Sequence, residues 1–272
     1  MIIAQITDTH IKADAKLAYR KVDTARGLTE CVAHLNALSP APDVVVMSGD
    51  LTDFGKLEEY RIARPILDSL AMPYYIIPGN HDEREAFRQA FADHAYLPRS
   101  GYLNFAIEDL SVRLIGLDTV VDGQPYGELC KERLDWLDAV LAQQRDRVTL
   151  IFMHHPPFVT GIRHMDWQNC RNAKALGEIV VRNTQVQMIL CGHVHRPIER
   201  AFFGTIASIG PSPCHAVSLD LSANTRPAFT LEPAACRLVY LTEDNRLVTH
   251  LSFIGDFDGP HPFFNSDGTL ID

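Results

Sequence analysis

Asp43-Val44-Val45-Val46-Met47 is apolar on both alternating sets of positions after its first residue. A strand turns successive side chains to opposite faces, so this run needs cover on both sides, as in a buried parallel sheet. Residues 2–6, 74–77, 148–153 and 186–191 read as further apolar strands. Between the first three lie helical stretches. Val22, Ala25, Leu28, Val32, Leu35 and Leu38 recur at helical spacing over residues 21–38. Residues 56–70 read as a second helix ending before Pro73, and residues 83–92 as a third. The opening is therefore β-α-β-α-β-α, the order of an open α/β sheet.

The rhythm then changes. Residues 102–108 and 112–118 are expected to form a hairpin around Asp109-Leu110. Helices are expected at about 131–143 and 172–182, with a loop before the second. After His195 come short strands and Gly/Pro turns without a helical stripe. We read two packed mixed sheets flanked by helices: a core over residues 1–195, and residues 196–272 completing the sandwich and adding a small, less regular C-terminal cap or oligomerisation segment.

The chain has 272 residues and a formal net charge of −9. That balance argues against a large nucleic acid or an anionic membrane as partner. No stretch approaches the roughly 20 apolar residues of a membrane span. The N-terminus lacks the basic region and cleavage site of a signal peptide. Six scattered cysteines without a C-x-x-C pair favour free thiols. Together these predict a soluble, cytoplasmic chain. Cys191 is read as a buried thiol ending a strand.

Five polar runs punctuate this frame: Asp8-Thr9-His10, Gly49-Asp50-Leu51-Thr52-Asp53, Gly79-Asn80-His81-Asp82, His154-His155-Pro156-Pro157 and Gly192-His193-Val194-His195. Four of them directly follow an apolar strand, so their side chains gather where open α/β sheets bind ligands. Carboxylate, amide and imidazole donors from several strand ends suit two divalent metals. Asp8 and His10, two apart, are expected to point the same way as on a strand, and His193 and His195 likewise. Asp50 follows Gly49, which allows a tight turn. Its two oxygens make it the candidate bridge between cations. Asn80 offers a neutral carbonyl oxygen.

These five runs, in this order, resemble the calcineurin-like metallophosphoesterase superfamily. Within it the chain is similar to the class III cyclic-nucleotide phosphodiesterases and the bacterial glycerophosphodiesterases, through Ile6-Thr7-Asp8-Thr9-His10, Ile77-Pro78-Gly79-Asn80-His81-Asp82 and Phe152-Met153-His154-His155-Pro156-Pro157. The resemblance implies a four-layer α-β-β-α sandwich. It implies one metal on Asp8, His10, His195 and Asp50, and another on Asp50, Asn80, His154 and His193. Related enzymes often associate through the C-terminal region, which implies a homo-oligomer.

Other residues are weighed singly. His155 is read as structural or as supporting a ligand, and Asp53 as a turn residue or one that orients a ligand histidine, with Asp82 similar. His34, His94, His250 and His261 read as surface or packing residues. His164 and His215 are candidate substrate contacts with Asn80 and His81, and Arg163 and Trp167 are lesser ones.

Two divalent ions and two carboxylates leave a local charge of about +2, enough to hold a phosphodiester. The expected reaction is in-line attack of a metal-activated hydroxide on phosphorus, with Asp50 in the centre and His81 stabilising the transition state or protonating the leaving alkoxide. The expected substrates are cyclic nucleotides or glycerophosphodiesters. Alternatives are a phosphomonoesterase, a nuclease, which the acidic balance disfavours, or a non-catalytic scaffold, which would not need every ligand. The ligands suit Fe, Mn, Zn or Co without selecting among them.

Overall fold

A computed structural model of the chain describes residues 1–224 and 226–271. Its first half alternates β1 (Ile2–Ile6), α1 (Thr24–Ala37), β2 (Val44–Ser48), α2 (Leu57–Leu67), β3 (Tyr74–Ile77) and α3 (Arg84–Ala90). Then follow β4 (Phe105–Ile107), β5 (Arg113–Leu117), α4 (Lys131–Ala142), β6 (Thr149–Met153), α5 (Arg163–Asp166), α6 (Ala173–Val181) and β7 (Val186–Cys191). The remainder is β8 (Ile198–Phe202), β9 (Thr205–Ile209), β10 (Ala216–Val217), β11 (Phe229–Thr230), β12 (Ala235–Leu241) and β13 (Leu247–Phe253).

Two departures from the sequence reading have local causes. α1 starts at Thr24, because the Asp23 carboxylate accepts the Arg26 backbone N–H at 3.1 Å and caps the helix there. The segment expected to be loop contains the single turn α5, anchored by Asp166, which accepts from the backbone of Thr160 and Gly161. Strands β12 and β13, seven residues each, are longer than the short strands expected after His195.

The strands form two large mixed sheets, in the order β13-β12-β1-β2-β3 and β4-β5-β6-β7-β9-β8, with β10 and β11 as a small separate pair. Strands β1, β2 and β3 run parallel, and β12 lies antiparallel beside β1. In the second sheet β5, β6, β7 and β9 are parallel.

Strand periodicity sorts the second sheet into two faces. Leu114, Leu150, Phe152, Met188 and Leu190 join the core that includes the first sheet. Ile115, Ile151, Met153, Ile189 and Cys191 pack instead with Leu137 and Leu141 of α4 and with Leu176 and Val180 of α6. Helices α1, α2 and α3 pack beside one another and against the first sheet. The result is a four-layer α-β-β-α sandwich. A buried amide stitches its middle layers: Gln5 of β1 donates to Ser48 Oγ of β2 and to the Cys191 carbonyl of β7, each at 2.8 Å. Among the described residues no helix is long and apolar enough to cross a membrane.

Candidate metal centre

Beyond β1 and β2 the two chains stay zipped. Asp8 N donates to Gly49 O, His10 N to Asp50 O and Ile11 N to Leu51 O, each at 3.0 Å. This brings the first two polar runs side by side. They are not strands, however. Asp8, His10 and Asp50 have φ of 55°, 47° and 50°, and His193 and His195 have 73° and 58°. The expected strand alternation is therefore corrected: the paired side chains converge through left-handed turns. Such a conformation costs a residue other than glycine roughly 1–3 kcal/mol and persists only where its surroundings enforce it. Asp and His are among the side chains that tolerate it best.

Close backbone approach completes the turns. Gly49 has φ of +94°, and a Cβ there would lie 2.5 Å from His154 Nδ1. A Cβ on Gly192 would lie 2.8 Å from Asp8 Oδ2. Only glycine leaves that space.

The donors meet at the crest of the sandwich. His10 Nε2 stands 3.1 Å from His195 Nε2 and 3.6 Å from Asp50 Oδ2. His195 Nε2 is 3.5 Å from Asp8 Oδ1. His154 Nε2 lies 3.3 Å from Asp50 Oδ2 and 3.1 Å from Asn80 Oδ1. Asp50 Oδ2 thus faces both groups. A donor atom of His193 lies within 4.8 Å of donors on His154 and His155. Asp8, His10, Asp50, His154, His193 and His195 are all buried.

Neighbouring groups aim these side chains. Asp53 Oδ1 is 3.3 Å from His10 Nδ1, and Lys12 pairs with its other oxygen. A carboxylate behind a histidine fixes ring orientation and turns the other nitrogen toward a metal. His154 Nδ1 donates to Ser48 O at 2.9 Å, leaving Nε2 for the centre. The Asp8 carboxylate accepts from His193 N at 2.9 Å, and Ser212 Oγ donates to Asp8 O at 2.8 Å. Asp82 takes the turn role: its oxygens accept from the backbone of Leu51, Thr52 and Gly79 and from the Thr52 and Tyr60 hydroxyls, holding two turns together. His155 is wholly buried, with Nδ1 2.8 Å from Thr119 Oγ1.

Burial and charge divide the titratable groups. Burial pushes Asp8 up to about 6. Burial opposes ionisation of Asp50 too, but His154, His81 and His10 hold it well below the usual carboxylate range. Burial lowers His193 to about 3 and His195 well below its ordinary value, leaving both imidazoles neutral. Neutral imidazole is the form that binds metal.

The donor set fits two cations. Donors about 2.1 Å from a shared ion, at tetrahedral or octahedral angles, stand about 3.0–3.4 Å apart, and the 3.1–3.6 Å separations here overlap that span and run slightly beyond it. His193 Nε2 and His195 Nδ1 are buried without a hydrogen-bond partner. Mixed N and O donors suit Fe, Mn, Zn or Co.

A cavity of about 630 Å³ opens above the centre. Its floor includes His10, Asp50, Asn80, His81, His193 and His195. His164, Trp167 and His215, singled out in the sequence, line its walls, whereas Arg163 does not. Tyr19, Gln168 and Phe229 also line it and escaped the sequence reading. No motif surrounds them: Tyr19 sits in a polar loop, and Phe229 reaches the site only through the β10–β11 pairing. His34 bonds Ser252 at 2.7 Å, His94 is half-buried in an aromatic cluster, and His250 and His261 are exposed.

Two overlapping donor sets, buried at the crest of a two-sheet sandwich below an open cavity, define a metalloprotein site of the two-cation kind. A family model described as calcineurin-like phosphoesterase matches residues 1–197. The chain belongs to that family. It is 42% identical over 273 residues to a probable glycerophosphodiester phosphodiesterase GpdQ of Arcobacter nitrofigilis, covering 100% of both chains. It is 30% identical over 256 residues to the 3′,5′-cyclic adenosine monophosphate phosphodiesterase CpdA of Escherichia coli, covering 93% of this chain and 90% of that one. A solved dimetal phosphatase from Danio rerio shares the fold, with a TM-score of 0.68 at 16% identity, over 93% of this chain and 98% of that one.

Proposed function

We propose that the chain is a two-metal phosphodiesterase acting on small phosphodiesters, cyclic nucleotides or glycerophosphodiesters. The carrying observation is the Asp50 carboxylate facing both donor groups at the floor of an open cavity. Asp8, His10, His195 and Asp50 would hold one cation, and Asp50, Asn80, His154 and His193 the other. Bound there, two divalent ions supply Lewis acidity at the phosphoryl oxygens and lower the pKa of water toward about 7.

The chain's own groups do the rest. Asn80 and His81 stand beside the phosphoryl position, and His164 and His215 reach the substrate from the walls. His81 N donates to Asp50 Oδ1 at 2.9 Å, which ties the His81 backbone to the proposed bridge. His81 Nδ1 donates to Asp53 O at 2.8 Å, because a carbonyl can only accept. Nε2 remains as the nitrogen that meets the leaving oxygen. To give a proton there the ring must be the imidazolium; the Asp53 carboxylate lies 3.9 Å from Nδ1.

Two further readings belong here. Free cysteines throughout suit a reducing cytoplasm. Residues 196–272 complete both sheets through β8, β9, β12 and β13, and they also carry exposed Phe253, Phe257, Phe263 and Phe264, which suit contact with a second copy. Turnover of cAMP, 2′,3′-cAMP, glycerophosphoethanolamine, bis-nitrophenyl phosphate and nitrophenyl phosphate by metal-loaded protein tests the main reading. No turnover of any diester with Fe, Mn, Zn or Co would overturn it.

A further inference from the structure

Three segments remote in sequence meet around the cavity: the loop carrying Tyr19, the turn of α5 ending at Trp167, and the β10–β11 pair carrying Phe229. The Tyr19 and Phe229 rings lie 5.0 Å apart, tilted by 32°. Both make edge contacts with His215, at 5.4 and 5.6 Å between ring centres. His215 in turn sits 4.5 Å from His195. A continuous row of rings therefore runs from the metal donors to the cavity rim. Trp167 lines the same cavity apart from this row, and two of the aromatic residues are largely open to solvent, Tyr19 at 53% and Trp167 at 61% exposed.

The charges around the cavity narrow its ligand. Among the described residues that line it, none is Lys, Arg or Glu, and the lone carboxylate is Asp50. No cationic side chain waits for a second phosphate. An ammonium headgroup would face two cations on the floor and no free carboxylate on the wall, so charge repulsion opposes the cation–π attraction that bare rings could offer. A glycerol group has little apolar surface to lay on the rings. A flat heteroaromatic ring suits them, because it stacks on aromatic faces whatever its sequence of edge atoms. It also brings edge donors and acceptors, and the polar side chains of His164, Gln168 and His215 line the wall. His164 Nδ1 and His215 Nδ1 are buried without a hydrogen bond, and His215 is 4% exposed.

We infer that Tyr19, Trp167 and Phe229 form a subsite for a planar heteroaromatic ring, a nucleobase, carried on the organic part of the ester. This rests on the phosphodiesterase reading and deepens it. It selects nucleotide diesters over glycerol diesters.

The kinetic test compares each variant with the parent on the same substrate, so intrinsic reactivity cancels. In metal-loaded Trp167→Ala and Phe229→Ala proteins, kcat/KM for cAMP should fall about 5- to 150-fold, the span that ring stacking commands. Glycerophosphoethanolamine and glycerophosphocholine should change less than about twofold on the same scale. Equal losses on all three, or a loss confined to glycerophosphocholine, would overturn the subsite. A binding test separates this from the activity. The chain has two tryptophans, so Trp136→Phe leaves Trp167 as the sole indole. AMP should quench its fluorescence in the metal-loaded protein at concentrations where glycerol 3-phosphate does not. Quenching without turnover of any diester would support the subsite and overturn the phosphodiesterase. Turnover with no selective quenching would do the reverse.

Discussion

Nε2 of His10 and Nε2 of His195 face each other at 3.1 Å in a buried site. Two imidazoles can share one proton there, whereas a cation would take a lone pair from each and satisfy the carboxylates beside them. Metal removal should therefore loosen the whole fold. A ligand at about 100 times its Kd adds about 2.7 kcal/mol. At about 2–4 °C per kcal/mol in a large domain, chelation should lower Tm by about 5–10 °C. Differential scanning calorimetry with and without EDTA checks this; an unchanged Tm would contradict metal binding at these residues.

Asp50→Ala should lose activity and bring metal content below two ions per chain. The carboxylate stands 3.3 Å from His154 Nε2 and 3.6 Å from His10 Nε2, so both donor sets lose an oxygen. Metal analysis that still finds two ions in the purified variant would remove Asp50 as the bridge.

Gly79→Ala should injure the centre without removing a donor. A Cβ there would lie 2.8 Å from Asp50 Cγ and closer still to Oδ1. Overpacking of this kind costs about 1–3 kcal/mol. The expected result is lower stability with weaker metal retention, read by thermal unfolding and metal titration together. Parental behaviour in both would show that the backbone can move aside.

Loss of His81 should depend on the leaving group. His81→Ala should retain two metals and slow turnover by about 10²–10⁴-fold on diesters with alkoxide leaving groups. A nitrophenolate departs without a proton, so bis-nitrophenyl phosphate should suffer much less. Equal losses on both would leave His81 an electrostatic or positional role, and loss of metal would make it structural.

Diesters should outpace matching monoesters. A monoester carries extra negative charge and can sit across both cations as the product does. A higher kcat/KM for nitrophenyl phosphate than for bis-nitrophenyl phosphate with every metal tried would reverse the assignment.

Much of this was readable in the sequence, for definable reasons. The apolar strands need cover on both faces, which makes β2, β6 and β7 conspicuous, and each ends in a polar run. Other features depend on contacts too distant to leave a local trace. Nothing near residues 235–241 says that β12 slots between β13 and β1. The left-handed turns at His193 and His195 are equally silent, since side-chain spacing suggests a strand while the backbone is bent by its neighbours. Tyr19 and Phe229 meet across more than two hundred residues, and the stretches that carry them look like ordinary loops.

The order of the strands has one more consequence. Asp8, His10, Asp50 and Asn80 follow strands of one sheet, whereas His154, His193 and His195 follow strands of the other. Neither sheet owns a whole binding site. The cations would act as rivets through two plates, and the plates cannot part without tearing out the rivets. Slippage at the seam, where Gln5 reaches across to the Cys191 carbonyl, should then surface as metal escaping before the protein unfolds. Hydrogen exchange along that seam and the rate of metal loss should rise and fall together.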